Sequence, residues 1–412
     1  MSRISNIKCH KLVNSRGDWT IQTRVELEDG SVGSQVVPEG ASKGEHEAVY
    51  IPVGKAVDVV TSALGSVLHG EDVFDQQNID KILVEVDGTE NKRNLGANSI
   101  LSVSLAAANA AAKSLKIPLY KYLGKMYGNS DFAFPTPLFN VFNGGKHAYN
   151  NLSFQEFIVI PAKRYAFDKA YEIGVDVYDR LEKALEAGGH DTGVGDEGGF
   201  APSGFTTSGV FELLRKAARG KYKVGDDIFF GCDIAADSFR EMWRYLIHEE
   251  NLSLNTQGLF DYHQQILSEN EIIYYEDPFA ENDERGWELL MKEFKDRALI
   301  VADDLTVTNA KLLKGVIKKG LANAVIVKPN QIGTLTETME FIEAAKKANM
   351  AIVVSHRSGD SAEDTFIADL ALAVRADFIK AGAPARGERV AKYNRLLDIY
   401  YDKFIDNVDV SA

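Results

Sequence analysis

Cysteine is nearly missing from this 412-residue chain: Cys9 and Cys232 are its only two, too few for a disulfide framework and unlike any zinc-ligand spacing. A reducing, cytoplasmic setting is the location this predicts. Positive charge is also scarce, with 46 Lys plus Arg against 60 Asp plus Glu and a formal charge of −14. The deficit argues against a polyanionic partner, so neither nucleic acid nor an acidic membrane surface is expected. Long hydrophobic runs are absent too. The longest uncharged stretch, 95–112, is rich in alanine and includes Asn98, Ser99, Ser102, Ser104 and Asn109. Its positions Leu101, Leu105, Ala108 and Ala112 recur at helical spacing, which predicts a buried helix of a soluble protein rather than a membrane span. The opening Met1-Ser-Arg-Ile starts no signal-peptide pattern.

What is present is an ordinary globular composition, 45% hydrophobic and 26% charged, in a chain long enough for two or three domains. Ile21, Thr23, Val25 and Leu27 alternate up to Asp29-Gly30, a hairpin turn signal, and the pattern resumes at Val32 and Val36-Val37. Helical periodicity follows, which predicts a small α+β domain over residues 1–128. Glycine, proline and small polar residues collect between Gly124 and Pro137, the composition of a domain junction. A second domain is expected over 135–412.

That second region holds eight short apolar runs: 138–142, 154–160, 227–233, 272–277, 298–304, 324–328, 351–356 and 377–380. Most of the later ones are separated by about 25 to 30 residues of helical pattern, the length of a βα repeat. The predicted class is α/β, a (β/α)8 TIM-type barrel. Only about a dozen residues join the first two runs, too few for a crossover helix, so these two strands are expected to be antiparallel and the barrel irregular at its start.

Asp233, Glu276, Asp303, Lys328, His356 and Lys380 each close one of these runs. In a barrel, those are the carboxyl ends of the strands, which converge on one mouth. A single carboxylate in such a place is commonly a helix N-cap, but Lys and His are poor caps, and caps do not explain six in succession. Three carboxylates from separate strands, with no cysteine and little histidine, form a hard oxygen site suited to Mg²⁺. A lysine in the field of that metal would have a lowered pKa and could act as a general base. Together these groups fit removal of a proton α to a carboxylate, whose doubly charged product needs metal and cationic side chains.

Six longer motifs carry a resemblance. They are Gly195-Asp-Glu-Gly-Gly-Phe-Ala-Pro202, Tyr275-Glu-Asp-Pro-Phe-Ala280, Ala302-Asp-Asp-Leu-Thr-Val-Thr-Asn309, Lys328-Pro-Asn-Gln-Ile-Gly-Thr-Leu335, Ser355-His-Arg-Ser-Gly359 and Lys380-Ala-Gly-Ala-Pro-Ala-Arg386. With Gly40-Ala-Ser-Lys-Gly44 near the start, the chain resembles the enolase family over essentially its whole length. The resemblance implies reversible, Mg²⁺-dependent dehydration of 2-phosphoglycerate to phosphoenolpyruvate. It implies Asp233, Glu276 and Asp303 as ligands of the tighter Mg²⁺, and Ser42 on a lid loop as a ligand of a second, substrate-assisted Mg²⁺. Lys328 would take the C2 proton, and Glu197 would help the 3-hydroxyl leave, since hydroxide departs only once protonated. Glu156 would support Glu197 by raising its pKa. His147, within Gly144-Gly-Lys-His-Ala148, would lie near the leaving group, and His356 completes the implied catalytic set. Substrate contacts are implied for His147, Glu156, Ser355, His356 and Lys380, with Arg357 and Ser358 on the phosphate.

Gly193-Val-Gly-Asp-Glu-Gly198 satisfies the dinucleotide pattern G-x-G-x-x-G literally, but no strand precedes it and Asp196 with Glu197 would repel a pyrophosphate. The chain also departs from the family pattern. Glu39 and Lys43 replace a serine and a threonine of the lid, and Trp19 replaces a proline in Asn14-Ser-Arg-Gly-Asp-Trp-Thr20. Family dimers resemble one another in pairing an N-terminal Arg and Glu with residues around Arg386; in this chain Arg386 and Glu388 remain, while His10 and Gln22 stand at the partner positions. The expectation is a homodimer or higher homo-oligomer lacking those two ion pairs. Two other functions compete: a related lyase acting on another acid, and a catalytically idle homologue serving as a binding or structural protein. Joint retention of Asp233, Glu276, Asp303, Lys328 and Glu197 argues against the second.

Overall fold

A computed structural model describes residues 2–40 and 44–405 of the chain. The N-terminal part begins with an antiparallel sheet in the order β1 (Ile4–Val13), β2 (Trp19–Leu27), β3 (Val32–Val36). The hairpin expected at Asp29-Gly30 joins β2 to β3, with Gly30 at φ 85°. The alanine-rich helix Ala97–Ser114 lies on this sheet, and most of its residues are buried. Its small side chains permit an unusually close approach. A Cβ on Gly33 of β3 would lie only 2.1 Å from the Ala110 backbone nitrogen, so glycine is required there. Among the described residues no single helix is long and apolar enough to cross a membrane.

The second part is a closed barrel of eight strands. Its strands are β4 (Thr136–Asn143), β5 (Glu156–Pro161) and β6 (Ile228–Asp233), then, after a three-stranded meander of β7 (Arg240–Glu241), β8 (Arg244–Ile247) and β9 (Leu252–Leu254), β10 (Ile272–Glu276), β11 (Leu299–Ala302), β12 (Ala324–Val327), β13 (Ala351–Ser355) and β14 (Phe378–Lys380). The expected antiparallel pairing of the first two strands is present, and β5 runs antiparallel to β6 as well, while every other neighbouring pair is parallel. The meander has no counterpart among the elements expected from the sequence. Leu138, Ile158, Ile160, Tyr274, Val301, Ala324, Ile326 and Val353 fill the barrel interior, so it is a packed core and not a pore.

Reversal of β5 has a direct consequence for the mouth. A strand running against its neighbours presents its first residue where they present their last, so Glu156 pairs in register with Asn143 on one side and Asp233 on the other. The N-terminal part docks onto the same end. Ser15 Oγ donates to the Ser358 carbonyl at 3.1 Å, and Glu39 and Gly359 exchange backbone hydrogen bonds at 2.8 Å. Gln35 Nε2 reaches Asp364 Oδ1 at 2.7 Å, and the buried Lys92 ammonium reaches Glu337 at 3.0 Å.

Candidate functional site

The mouth of the barrel gathers the charged residues expected there. Asp233, Glu276 and Lys380 are the last residues of β6, β10 and β14, and Asp303, Lys328 and His356 directly follow β11, β12 and β13. Asp233 and Glu276 are register neighbours, as are Ser355 and Lys380. The backbone is strained around this ring: Ala235, Asp277, Val307 and Thr308 all have positive φ between 40° and 55°. At Asp277 the turn aims its carboxylate at the next strand end, where it accepts the backbone N–H groups of Asp303 at 2.9 Å and Asp304 at 3.0 Å.

One half of the mouth pairs carboxylates with ammonium groups. Lys380 Nζ lies 3.0 Å from Asp233 Oδ2, 2.7 Å from Glu276 Oε2 and 3.2 Å from Glu156 Oε2. Lys328 Nζ is paired with Asp303. The three implied metal ligands therefore share one mouth, with lysines lying between them. Gln155 donates to Asp233 at 3.3 Å, Gln331 to Asp303 at 2.9 Å, and the Tyr274 hydroxyl to Glu276. The other Glu276 oxygen, Oε1, is buried with no hydrogen-bond partner. Such an orphan is costly without a cation, and an all-carboxylate donor set is hard oxygen that suits a divalent metal in its chemistry, while the carboxylates whose oxygens already converge among the described residues are Asp277, Asp303 and Asp304. Burial, then the Asp233 carboxylate, pushes Glu276 up to about 7. Burial works against the Lys380 ammonium, yet Asp233, Glu156 and Glu276 outweigh it and raise its pKa well above the ordinary value.

The lowered pKa expected for Lys328 belongs to the metal-loaded site. In the protein alone burial does act downward, but Asp303 against the ammonium, with Glu276 beyond, overrides burial and raises it.

The other half pairs carboxylates with imidazoles. Glu197 comes from the long loop before the helix Thr207–Ala218. His356 Nε2 lies 3.2 Å from Glu197 Oε2, and Asn140 of β4 donates to that same oxygen at 3.1 Å. His147 ends a short 3₁₀ turn between β4 and β5, with Nδ1 3.5 Å from Glu156 Oε1 and 3.7 Å from Glu197 Oε1. His147, Glu156 and Glu197 are all buried. One expectation is corrected at this point, because in the protein alone Glu197 is not the carboxyl whose pKa rises. Burial would raise it, but His356, His147 and the Arg389 guanidinium outweigh burial and hold it well below the ordinary range. Glu156 is raised instead, by burial and by the neighbouring Glu197 carboxylate. His356 is held neutral, pushed down to about 4, chiefly by burial.

Arg357 and Ser358 lie buried beside His356. Nη1 of Arg357 donates to both carboxylate oxygens of Glu47 at 3.1 Å. Backbone passes close to the guanidinium: a Cβ on Gly40 would lie 1.9 Å from Arg357 Nη2. Ser355 Oγ donates to the His356 carbonyl at 3.1 Å. Ser42 and Lys43 lie outside the described residues. The dinucleotide decoy is bare of its expected context, since no helix follows Gly198 before Thr207.

Sequence reasoning missed Glu47, Asn140, Asp277, Asp304, Gln331 and Arg389. Asp277, Asp304 and Gln331 lie inside the motifs that carry the resemblance, next to residues already chosen, and the doubled acids were the available signal. Asn140 sits mid-strand in an apolar run, where a buried amide is itself a signal, because such a group needs a polar partner.

The family model described as the enolase C-terminal TIM barrel domain matches residues 131–408, and that described as the enolase N-terminal domain matches residues 4–123. A curated relative named Enolase, from Ehrlichia ruminantium (strain Welgevonden), is 43% identical over 416 residues, an alignment covering 98% of this chain and 97% of the relative.

Proposed function

The chain belongs to the enolase family and catalyses the metal-dependent dehydration of 2-phosphoglycerate to phosphoenolpyruvate, and from that premise we propose how its own residues divide the reaction. Asp233, Glu276 and Asp303 hold the cation, which we take to be Mg²⁺ because every donor is a carboxylate oxygen. When bound, it would supply the positive charge that stabilises an extra electron pair on the substrate carboxylate, and Asp303, as its ligand, would offer less charge to Lys328. Ser42 contributes to a second Mg²⁺ once substrate is in place.

Arg357 and Ser358 bind the phosphate, and Lys380 the substrate carboxylate. Lys328, as the free amine, takes the C2 proton onto Nζ, leaving the electron pair delocalised into the carboxylate. From the opposite side, the proton shared by Glu156 and Glu197 passes to the departing 3-hydroxyl, which leaves as water as the C2–C3 double bond forms. His147 and His356 flank that pair and keep Glu197 ionised until the transfer. The observation that carries this reading is an arrangement: Lys328, paired with Asp303, stands across the barrel mouth from Glu156 and Glu197, which lie beside His147 and His356.

The test is an absorbance assay for phosphoenolpyruvate formed from 2-phosphoglycerate, with Mg²⁺ present or chelated, and with Lys328→Ala as control. We expect signal only from the wild type with metal. An undiminished Lys328→Ala rate would sink the assignment of the base. We further propose a cytoplasmic protein that forms a homo-oligomer without the two family ion pairs. In support, Arg386 bonds Glu388 of its own chain at 2.7 Å and Gln22 bonds Glu363 at 2.9 Å. Light scattering that finds a dimer persisting well below micromolar concentration would count against a weakened interface.

A further inference from the structure

Arg389, in the first turn of the helix Gly387–Ile405, is wholly buried. Its guanidinium touches no expected ligand. Instead it ties two segments of the mouth together. Nη1 donates to His356 Nδ1 at 2.5 Å and to the Arg357 carbonyl at 2.8 Å; Nη2 donates to the carbonyls of Ser358 at 2.5 Å and Asp196 at 3.3 Å. The first three partners belong to the phosphate segment, and the fourth immediately precedes Glu197. Two carboxylates stand farther off, Glu388 at 3.6 Å and Asp360 at 3.7 Å.

An arginine side chain has five donors, no acceptor and no accessible neutral form. The imidazole nitrogen it meets must therefore present a lone pair, and a neutral His356 must carry its proton on the other nitrogen, Nε2. That nitrogen is the one 3.2 Å from Glu197 Oε2, close to the carboxylate though the two do not form a hydrogen bond as placed. In the reverse tautomer an N–H would face the guanidinium and a lone pair would face a carboxylate, so both ends would oppose it.

We propose that Arg389 is a positioning residue that fixes His356 as the Nε2–H tautomer, so that the ring turns its N–H and not a lone pair toward Glu197 Oε2. The proposal rests on the reading of Glu197 and His356 as parts of the proton-donating half. It extends that reading to a residue that touches neither substrate nor metal ligands. The same four hydrogen bonds set the spacing between the Glu197 loop and the phosphate segment, so one side chain couples where phosphate is held to where the hydroxyl is protonated.

The test reads the tautomer directly. In protein labelled with ¹⁵N-histidine, long-range proton–nitrogen correlation distinguishes a protonated from an unprotonated ring nitrogen, and the His356→Asn variant identifies the His356 signals. The wild type is expected to show Nε2 protonated and Nδ1 bare; Nδ1–H in the wild type would overturn the proposal with no variant needed. In Arg389→Met the two nitrogens should average or exchange character, and kcat should fall about 10- to 100-fold with KM moving much less. Arg389→Lys, which keeps a donor toward Nδ1, should restore the tautomer and part of kcat. A folded Arg389→Met protein that loses kcat while keeping the wild-type tautomer would make Arg389 a structural strut only, and would also overturn the proposal. The nitrogen spectra do not depend on which carboxyl donates the proton. An active Glu197→Gln enzyme would therefore reject the mechanistic reading and leave the tautomer result standing.

Discussion

The two halves of the mouth solve the same problem, buried carboxylates, by different means. Asp233, Glu276 and Asp303 are balanced by full positive charges on Lys380 and Lys328. Glu156 and Glu197 have histidines beside them, with His147 and His356 within 3.7 Å, and of the two only Glu156 also meets an ammonium, Lys380 at 3.2 Å. Ammonium groups beside carboxylates create a strong fixed field and a set of oxygens that a stronger cation can claim. In the other half the imidazoles and Arg389 hold Glu197 low, while burial and Glu197 push Glu156 up, so the two carboxyls are driven apart in pKa. The first half is built to hold charge and the second to hold a proton.

Separating the two chemical steps puts that contrast under the greatest strain. If Lys328 removes the C2 proton, Lys328→Ala should lose phosphoenolpyruvate formation and also lose exchange of the substrate C2 proton with deuterated solvent, each by up to about 10⁴-fold. Glu197→Gln should lower dehydration by about 10²- to 10³-fold, yet leave C2 exchange within about tenfold of wild type, because the lysine half is intact. Proton NMR of 2-phosphoglycerate in deuterium oxide follows both. Loss of exchange in Glu197→Gln would mean that the halves act as one unit and the division is wrong.

A smaller effect distinguishes the halves through pH. His356 is pushed down to about 4 from an ordinary 6.5. As pH falls, the unfolded chain therefore binds this proton first. Stability owed to the neutral imidazole is fully present above pH 6.5 and is lost as pH falls toward 4, at a cost of about 2 kcal/mol between pH 7 and 5. Denaturant titrations of wild type and His356→Asn at those two pH values should show the wild type losing more. Parallel losses would mean that His356 is already charged in the folded protein, contrary to a proton-holding half built from neutral rings.

The contrast also explains what could be read from the sequence. Asp233, Glu276, Asp303, Lys328 and Lys380 were legible because regular parallel strands place them at successive apolar-run ends, and charge after an apolar run is conspicuous. Glu156 is at the mouth only because β5 is reversed, which the short connection implied. Glu197 and His147 lie on loops with no periodic signal and are legible by motif alone. The protonation order of Glu156 and Glu197 was not legible, because it depends on which side chains face each carboxyl across the barrel, and sequence distance carries no trace of that. The sheet β1–β3 was half legible: the hairpin of β2 and β3 alternates cleanly, whereas polar residues along β1 obscure it. In sequence Arg389 looks like any other surface charge of a C-terminal helix, and only its burial distinguishes it.

Two buried amides offer the finest comparison, one in each half. Gln331 donates to Asp303 at 2.9 Å, and Asn140 donates to Glu197 at 3.1 Å. Both hydrogen bonds end on a carboxylate oxygen, and removing either donor leaves that oxygen less well held. If one half holds charge and the other a proton, identical chemical losses must appear in different observables. Gln331→Leu should weaken Mg²⁺ binding by about tenfold, as loss of a ligand's hydrogen-bond partner does, while kcat at saturating metal stays close to wild type. Asn140→Leu should leave metal affinity unchanged and lower kcat by a similar factor, because Glu197 Oε2 loses its hydrogen-bond donor and keeps only the 3.2 Å proximity of His356. Titration calorimetry with Mg²⁺ and steady-state rates on both variants suffice. A variant that moved both observables equally would place its amide in a network spanning the mouth, and the separation of charge-holding from proton-holding residues would then fail at the level of their supports even if it survived at the carboxylates themselves.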